Sequence, residues 1–411
     1  MNKFITLKLK DIGPVRMCKR VLKSQTCPKG DVPFYKIKTF GGKPDAYISN
    51  DLFEKYRKTY HFPKIGSILI SAAGTLGRVV RYNGEKAYFQ DSNIVWIEND
   101  EKILLNDYLY YFYLTKPWQI TLGSTIPRLY NNDIENLTIT FPKNIEQQKK
   151  VVAILKDLDM KIATNNAISK ELESMAKTIY DYWFLQFEFP NESGEPYKSS
   201  DGEMIWNDIL KKKIPEGWEV KKLQDLVKLG NGINYSKDTS GDNLYKIVNV
   251  RDITSSSLLI NDRSLTKISL PNTNIDKYLV NNNDILIARS GTPGAVRILT
   301  STSEQILFAG FIIHCLPKNP ALRWYLMYSL KKLEGTNATT TGGSILQNVS
   351  QTTLKSISII LPTAPIIEKF NQQITPIVEQ LENLLKESQQ LKSLRDFLLP
   401  MLMNGQVTIK D

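Results

Sequence analysis

The strongest constraint on this chain is that its second half repeats its first. From Asn144 to Phe184, Val151, Leu155, Leu158, Ile162, Leu172, Ala176, Ile179 and Trp183 recur by threes and fours or by multiples of seven. Asn165 and Ser169 fill the two missing places. This pattern is the heptad seam of a long helix, and such a seam needs a partner helix. Asn144 with Gln147 reads as the N-terminal capping box, and Pro190 as the stop. A shift of 222 residues brings up the partner: Glu146 falls on Glu368, Leu155 on Ile377, Ile162 on Leu384, Ser169 on Leu391, Leu172 on Leu394, Ala176 on Leu398 and Ile179 on Met401.

Any two amphipathic helices align somewhere, so the segments preceding them decide. Phe4, Leu9, Asp11 and Ile12 recur as Trp218, Leu223, Asp225 and Leu226. Tyr35-Lys-Ile37 faces Tyr245-Lys-Ile247. Ser67-Ile-Leu-Ile-Ser-Ala-Ala-Gly-Thr-Leu-Gly77 faces Asp284-Ile-Leu-Ile-Ala-Arg-Ser-Gly-Thr-Pro-Gly294, each a buried strand followed by a glycine-punctuated turn. Gly123 to Pro142 faces Gly343 to Pro362, pairing Leu137 with Ile357, Ile139 with Ile359 and Phe141 with Leu361. Five blocks in one order, with the offset drifting from 210 to 222, describe a duplication with unequal loops.

The expected fold is therefore α+β. Two similar mixed α/β domains, residues 1–141 and 216–362, are each followed by a long helix, residues 142–189 and 363–411. The two helices pair as an antiparallel coiled coil, and residues 190–215, rich in Pro, Gly, Ser and charge, form a linker. Two copies are too few for a solenoid. Gly335 to Ser344 is low in complexity and reads as a loop of the second domain.

With 411 residues, 42% hydrophobic and 23% charged, the chain has material for two cores. It carries no apolar run near about 18 residues and no signal-peptide core at its start, so no membrane association is expected. Cys18, Cys27 and Cys315 form no CxxC and have no nearby His, which fits a reducing, cytoplasmic setting.

The net charge of +11 is uneven. Residues 1–141 carry +8 and residues 216–365 carry +5, whereas 142–215 and 366–411 carry −1 each. Polyanion binding by the two domains explains this, as does a merely basic surface. Candidate contacts lie on loops. Arg16, Lys19, Arg20 and Lys23 form a basic cluster, and Asn231, Asn234 and Lys237 hold the similar place in the second domain. The turn after the buried strand offers Ser71, Thr75, Arg78 and Arg81, answered by Arg289, Ser290, Thr292 and Arg297. Arg128 corresponds to Gln347 and Asn348. Arg reads guanine, and Asn or Gln reads adenine, in a major groove. Gly74 and Gly291 either let the backbone approach a phosphate or make a tight turn.

Catalytic signatures are missing. Phe40-Gly-Gly-Lys43 is not a P-loop, Tyr235 stands where GxGxxG after Gly230 needs glycine, and Asn319-Pro-Ala-Leu322 fails as an amino-methyltransferase motif. His61 and His314 occupy non-equivalent places, and His314 reads as a core-strand residue. Nothing assembles a nucleophile, a base and an orienting group. A non-catalytic binding subunit is expected, with no cofactor of its own.

With this plan in hand, the chain resembles the specificity subunit of type I restriction–modification systems over essentially its whole length. The resemblance rests on Ile179-Tyr-Asp-Tyr-Trp-Phe184, Phe187-Glu-Phe-Pro190, Gly194-Glu-Pro-Tyr-Lys-Ser199 and Ile214-Pro-Glu-Gly-Trp218. It extends to Ile126-Pro-Arg128 leading to Leu137 and Pro142, and to Glu146-Gln147 opening the helix. The second half departs from it, with Leu346-Gln-Asn348, Glu368-Lys369 and a Pro376 that should kink or restart the second helix.

The resemblance implies two target recognition domains, each reading half of a split, asymmetric target in double-stranded DNA. The helices would set the gap and dock two methyltransferase subunits. It also implies that S-adenosylmethionine, ATP and magnesium belong to partner subunits, with motor–nuclease subunits where the system restricts. Spacer and docking positions would be Leu155, Ile162, Leu172, Ile179, Tyr182, Trp183, Ile377, Leu384, Leu391 and Leu398. The aromatic end Tyr180, Tyr182, Trp183, Phe184 is buried against a partner or against the second domain. The alternative function is a freestanding two-module DNA-binding regulator.

Overall fold

The structure is a computed structural model. It describes all residues except 1–2, 75, 119–127, 237–240, 272–274, 283, 300–303, 333, 335–348, 408 and 410–411. By packing, the chain divides into Met1–Ile162 with Gln390–Asp411, and Ala163–Gln389.

In the first unit the elements are β1 (Phe4–Lys8), β2 (Val15–Met17), β3 (Val32–Tyr35), β4 (Tyr47–Ile48), α1 (Asn50–Thr59), β5 (Ile68–Ser71), β6 (Val79–Arg81), β7 (Tyr88–Phe89), β8 (Ile94–Ile97), α2 (Asn106–Leu114), α3 (Asn131–Glu135), β9 (Thr138–Pro142) and the start of the long α4 (Ile145–Tyr180). The near-continuous apolar strands β5 and β8 are buried along their whole length. They lie in the middle of the antiparallel sheet β2-β8-β5-β6. A smaller sheet, β4-β3-β7, joins β3 and β7 in parallel. β1 pairs with β9, Phe4 opposite Pro142, so the module closes just before its helix starts. Asn144 caps that helix, its Oδ1 accepting the Glu146 N–H at 2.8 Å.

Tyr108, Leu109 and Phe112 of α2 share a core with Phe141, Val151 and Leu155, and with Leu399, Leu402 and Met403 from the last helix. The start of one long helix thus packs with the end of the other. Arg395 Nη1 lies 2.8 Å from Asp159 Oδ1, and the Tyr111 hydroxyl donates to Asp159 Oδ2 at 2.9 Å.

In the second unit, one π-helical turn (Asp181–Leu185) follows α4, and the linker folds into a hairpin of β10 (Met204–Asn207) and β11 (Lys212–Pro215). Then come β12 (Glu219–Lys222), α5 (Leu223–Leu226), β13 (Val227–Asn231), β14 (Asn243–Val248), α6 (Val250–Ser255), β15 (Leu259–Ile260), β16 (Thr266–Leu270), β17 (Leu279–Val280), β18 (Ile285–Ala288), β19 (Val296–Leu299), β20 (Ile306–Phe308), β21 (Ile312–Pro317), α7 (Arg323–Lys331), α8 (Gln351–Ser356), β22 (Ser358–Leu361) and α9 (Ala364–Met403). The sheets are β13-β21-β18-β19-β15 and β16-β14-β20-β17. They repeat the first module strand for strand and add β15 and β17. Here the end of α4 meets the start of α9. Tyr180 packs on Tyr325 and Tyr328 and Phe184 on Trp218 and Tyr325, all of the second domain, while Trp183 packs on Phe370 of α9 and Tyr182 stays exposed; the aromatic end, Tyr182 apart, is thus covered within the chain.

Hydrogen bonds repeat with the fold. Leu9 N–H donates to Leu137 O, and Leu223 N–H to Ile357 O. The Tyr108 hydroxyl donates to Thr140 O, and the Tyr325 hydroxyl to Ile360 O. One expected block is corrected. Gln90 N–H donates to Tyr35 O as Ala309 N–H does to Val248 O, so Tyr35 corresponds to Val248, not Tyr245. The sequence match of Tyr-Lys-Ile was three residues out, because β14 continues past Ile247 to pair Val248 with Phe308.

The helices follow the heptad seam with three adjustments. Leu155, Ile162, Asn165 and Ala176 are buried, as are Phe370, Ile374 and Ile377. Asn165 Nδ2 donates to Glu387 Oε2 at 2.7 Å, and these residues lie 222 apart, each the other's counterpart in the repeat. Leu394, expected on the seam, is exposed. The α-helical pattern gives way at Asp181 to the π turn, and Phe187, at φ +64°, ends the run before Pro190 is reached. α9 runs through Pro376 as one element, so the expected restart does not occur.

Candidate nucleic-acid interface

Each module has an open cleft in the same place. The segment after β2 or β13, the end of β3 or β14 and the turn entering β8 or β21 converge there. The first cleft has a volume of about 390 Å³ and is lined by Arg20, Val21, Lys23, Lys36, Gln90, Asp91, Ser92 and Asn93, among others. The second, about 800 Å³, takes in Tyr235, Asn249, Arg251, Lys267, Ser290, Ala309 and Phe311. Strand pairing sets Lys36 opposite Asn249 and Gln90 opposite Ala309 in the two modules.

Both clefts hold a carboxamide whose oxygen is already engaged. Gln90 Oε1 accepts the Ile37 N–H at 3.1 Å, and Asn249 Oδ1 accepts the Tyr235 hydroxyl at 2.7 Å. The amide NH₂ of each remains a donor at the cleft. Arg20, Lys23, Arg251 and Lys267 are exposed around them, as is Phe311. Lys36 reaches Asp45 at 2.9 Å and, by that hydrogen bond, holds the Asp45 carboxyl below its usual range.

The remaining candidates divide between surface and scaffold. Lys19 is exposed and lies over the Tyr60 ring at 5.0 Å. Arg128 is exposed at the edge of the first cleft, donating to Ser92 O at 3.2 Å. Asn231 accepts from Gln351 Nε2 at 2.9 Å, and Asn234 and Thr292 are exposed. Five others are drawn into the protein. Arg16 pairs with Glu98 at 2.7 Å and holds that carboxyl below its usual range. Buried Ser71 Oγ accepts the Arg78 N–H at 2.8 Å, and Arg78 donates to Phe40 O. Arg81 pairs with Asp107 at 2.9 Å under the Tyr110 ring. Buried Arg297 binds Glu334 at 2.7 Å and Ser256 O at 2.7 Å.

In each of these five the side chain that could bond DNA already has its partner, a competition that the sequence does not display. Arg289 and Ser290 are half-buried, and only Ser290 is among the residues lining the second cleft. Thr75, Lys237, Gln347 and Asn348 lie outside the described residues, as does Gly335–Ser344.

Gly74 and Gly291 have φ near +66° and +74°, the left-handed region a tight turn demands, and the three-residue periodicity closes with Gly77 and Gly294. Of the proposed spacer positions, Leu155, Ile162 and Ile377 are buried in the chain's own packing. Leu172, Ile179, Trp183, Leu384, Leu391 and Leu398 are half-buried, and Tyr182 is exposed. The structure adds Lys36, Gln90, Arg251, Lys267 and Phe311 to the cleft linings, none of which the sequence singles out as a contact. The correspondence of Arg20–Lys23 with the segment before Lys237 was the available clue, and the distant strand ends completing each cleft gave no local signal.

Among the described residues no group of three or more His, Cys, Asp or Glu is placed to hold a metal. His314 sits on β21 with Nε2 2.9 Å from Asp284 Oδ2, and Cys18 and Cys315 are buried, each thiol pushed up to about 12 by desolvation. No helix among the described residues is long and apolar enough to cross a membrane.

Comparison with known proteins gives a consistent result. The sequence profile of the type I restriction modification DNA specificity domain matches twice, at residues 1–174 and 215–395. A type I restriction enzyme specificity subunit of Methanocaldococcus jannaschii is 27% identical over 98% of this chain and 93% of its own length. A putative type I restriction enzyme specificity subunit of Haemophilus influenzae is 58% identical over 155 residues, which span 38% of this chain and 40% of that protein. The crystal structure of a type I restriction-modification system S subunit from M. genitalium superposes with a TM-score of 0.55 at 14% identity, covering 97% of this chain and 96% of that one, a likeness of fold.

Proposed function

From the premise that the chain belongs to the type I restriction–modification DNA specificity family, we propose that each module reads one half of a bipartite, asymmetric sequence in double-stranded DNA. The chain performs no chemistry itself. Its paired helices set the gap between the half-sites and, with the modules, offer docking surfaces to two methyltransferase subunits, which bring S-adenosylmethionine; motor–nuclease subunits with ATP and magnesium join where the system restricts. The observation that carries this reading is the repeated module with an equivalent cleft of different lining. A shared scaffold with unlike lining is what two different half-sites need, and the +8 and +5 balances of the modules supply phosphate attraction.

The test replaces residues 1–141 with the corresponding module of a relative, co-expresses the chain with its methyltransferase and maps methylated sites genome-wide. One half of the motif changes and the other half and the gap stay. A change in both halves refutes the assignment of one module to one half-site. Full-strength, sequence-specific binding by the isolated chain would instead favour a freestanding regulator.

A further inference from the structure

We propose that the two clefts are the base-reading sites, with Phe311, Arg251 and Lys267 choosing bases in one half of the target and Arg20, Lys23 and Gln90 in the other; this rests on the reading of the modules as DNA readers. Three observations carry it. The clefts occupy corresponding positions in a duplicated module, yet their linings differ where the strand register makes them comparable: Lys36 against Asn249, Gln90 against Ala309. Scaffold residues at corresponding places instead keep their roles, as Tyr108 and Tyr325 do.

The chemistry is that of a donor-rich wall. Gln90 and Asn249 have their oxygens occupied within the protein and keep NH₂ donors, beside exposed Arg20, Lys23, Arg251 and Lys267. Guanine N7 and O6, adenine N7 and thymine O4 are the acceptors such donors meet in a major groove. Asp91 in the first cleft is the one carboxylate among the lining residues named, and it suits a cytosine amino group.

Phe311 is the third observation. It is 62% exposed at the second cleft, a large apolar side chain held in water. A thymine methyl or a base face would cover it. Its place in the first module falls within the polar Asp91–Asn93 turn, so the two half-sites differ in what they offer at this point. Arg251 is aimed by hydrogen bonding to Thr266 Oγ1 and by Asp252 Oδ1 3.6 Å from its Nε, yet unlike the Arg16, Arg81 and Arg297 side chains it stays 69% exposed.

The experiment uses the full chain in complex with its methyltransferase, with genome-wide mapping of methylated motifs. Phe311→Ala with Lys267→Ala relaxes one half of the motif, by roughly 5- to 150-fold at a position, and leaves the other half intact. Arg20→Ala with Lys23→Ala does the same to the opposite half. An unchanged motif overturns the proposal. So does a uniform loss of binding at every sequence with a shallower salt dependence, which marks phosphate contacts. Should a double variant methylate nothing, Phe311→Leu and Lys267→Arg decide: a shifted half-site upholds the proposal and an unshifted one overturns it. A parent complex that methylates no split motif refutes the underlying reading instead.

Discussion

Gln148 offers the sharpest test of how the first module is fastened to its helix. Its side chain is completely buried at the first turn of α4. Nε2 donates to Ile103 O and to Pro142 O, both at 2.8 Å, and Oε1 accepts the Leu105 N–H at 2.9 Å. One amide thereby ties the loop before α2 and the end of β9 to the helix. Its counterpart 222 residues on is Phe370, equally buried, which does the corresponding work by ring packing. Gln148→Leu preserves most of the volume and removes all three bonds. Each backbone group left unpaired in the interior costs about 1–3 kcal/mol. Ile103 lies at the solvent edge, so its carbonyl recovers water and the net expectation is about 3 kcal/mol.

Peptide-resolved hydrogen exchange on the folded chain reads this directly. Amides of residues 99–105 should exchange on the order of 100-fold faster in the variant, because about 3 kcal/mol of local protection is lost. Urea unfolding, followed by tryptophan fluorescence, should show the first unit melting earlier. Exchange within about fivefold of the parent would refute the clamp, since that leaves less than about 1 kcal/mol for the three bonds together.

Three further outcomes are expected. Inserting seven residues in both α4 and α9, which preserves the heptad seam, should lengthen the spacer by about 10 Å and widen the methylated motif's gap by about three base pairs with the half-sites unchanged; an altered half-site would sink the ruler. The Arg16–Glu98 pair depresses the carboxylate's pKa, so its stabilisation is present above the unfolded carboxyl's pKa near about 4.3 and fades as pH falls through the lower folded value. The stability gap between the parent and Arg16→Ala, small at neutral pH because the pair is partly exposed, should therefore close in acid; a gap that widens would contradict the pairing. Finally, a thiol reagent should label Cys27 in the folded chain while Cys18 and Cys315 resist until urea is added, as mass spectrometry will show.

Much of the architecture was legible because it is periodic. The heptad seam and the Ser67–Gly77 and Asp284–Gly294 blocks are dense apolar patterns, and they matched elements of the same length and order. What escaped was non-periodic or non-local. The Tyr-Lys-Ile match at Tyr35 is only three letters long, whereas strand register there is set by a pairing partner more than fifty residues away. Arg81 and Arg297 look like any loop arginine until Asp107 and Glu334 arrive from other elements to occupy them. Pro376 breaks a rule of isolated helices, yet Phe370, Ile374, Ile377 and Val378 bury enough apolar surface around it for α9 to continue. The clefts are assembled from three separated segments each, so no window of sequence contains one.

The division of labour within the repeat follows from which residues diverge. Several scaffold positions use an equivalent bond or turn in both copies: Tyr108 and Tyr325 onto the strand before each long helix, and Gly74 and Gly291 in the same left-handed turn. Cleft residues sit at the ends of strands already fixed by those bonds. Exchanging Lys36 for Asn249, or Gln90 for Ala309, alters the donors offered without moving the backbone that carries them. If the modules read half-sites as proposed, a chain built this way can acquire a new half-site by local substitution while its second half-site and its helices keep their geometry. The opposite arrangement, with the reading groups on the seam, would couple every change of target to the packing of Leu155, Ile162 and Ile377, which are buried.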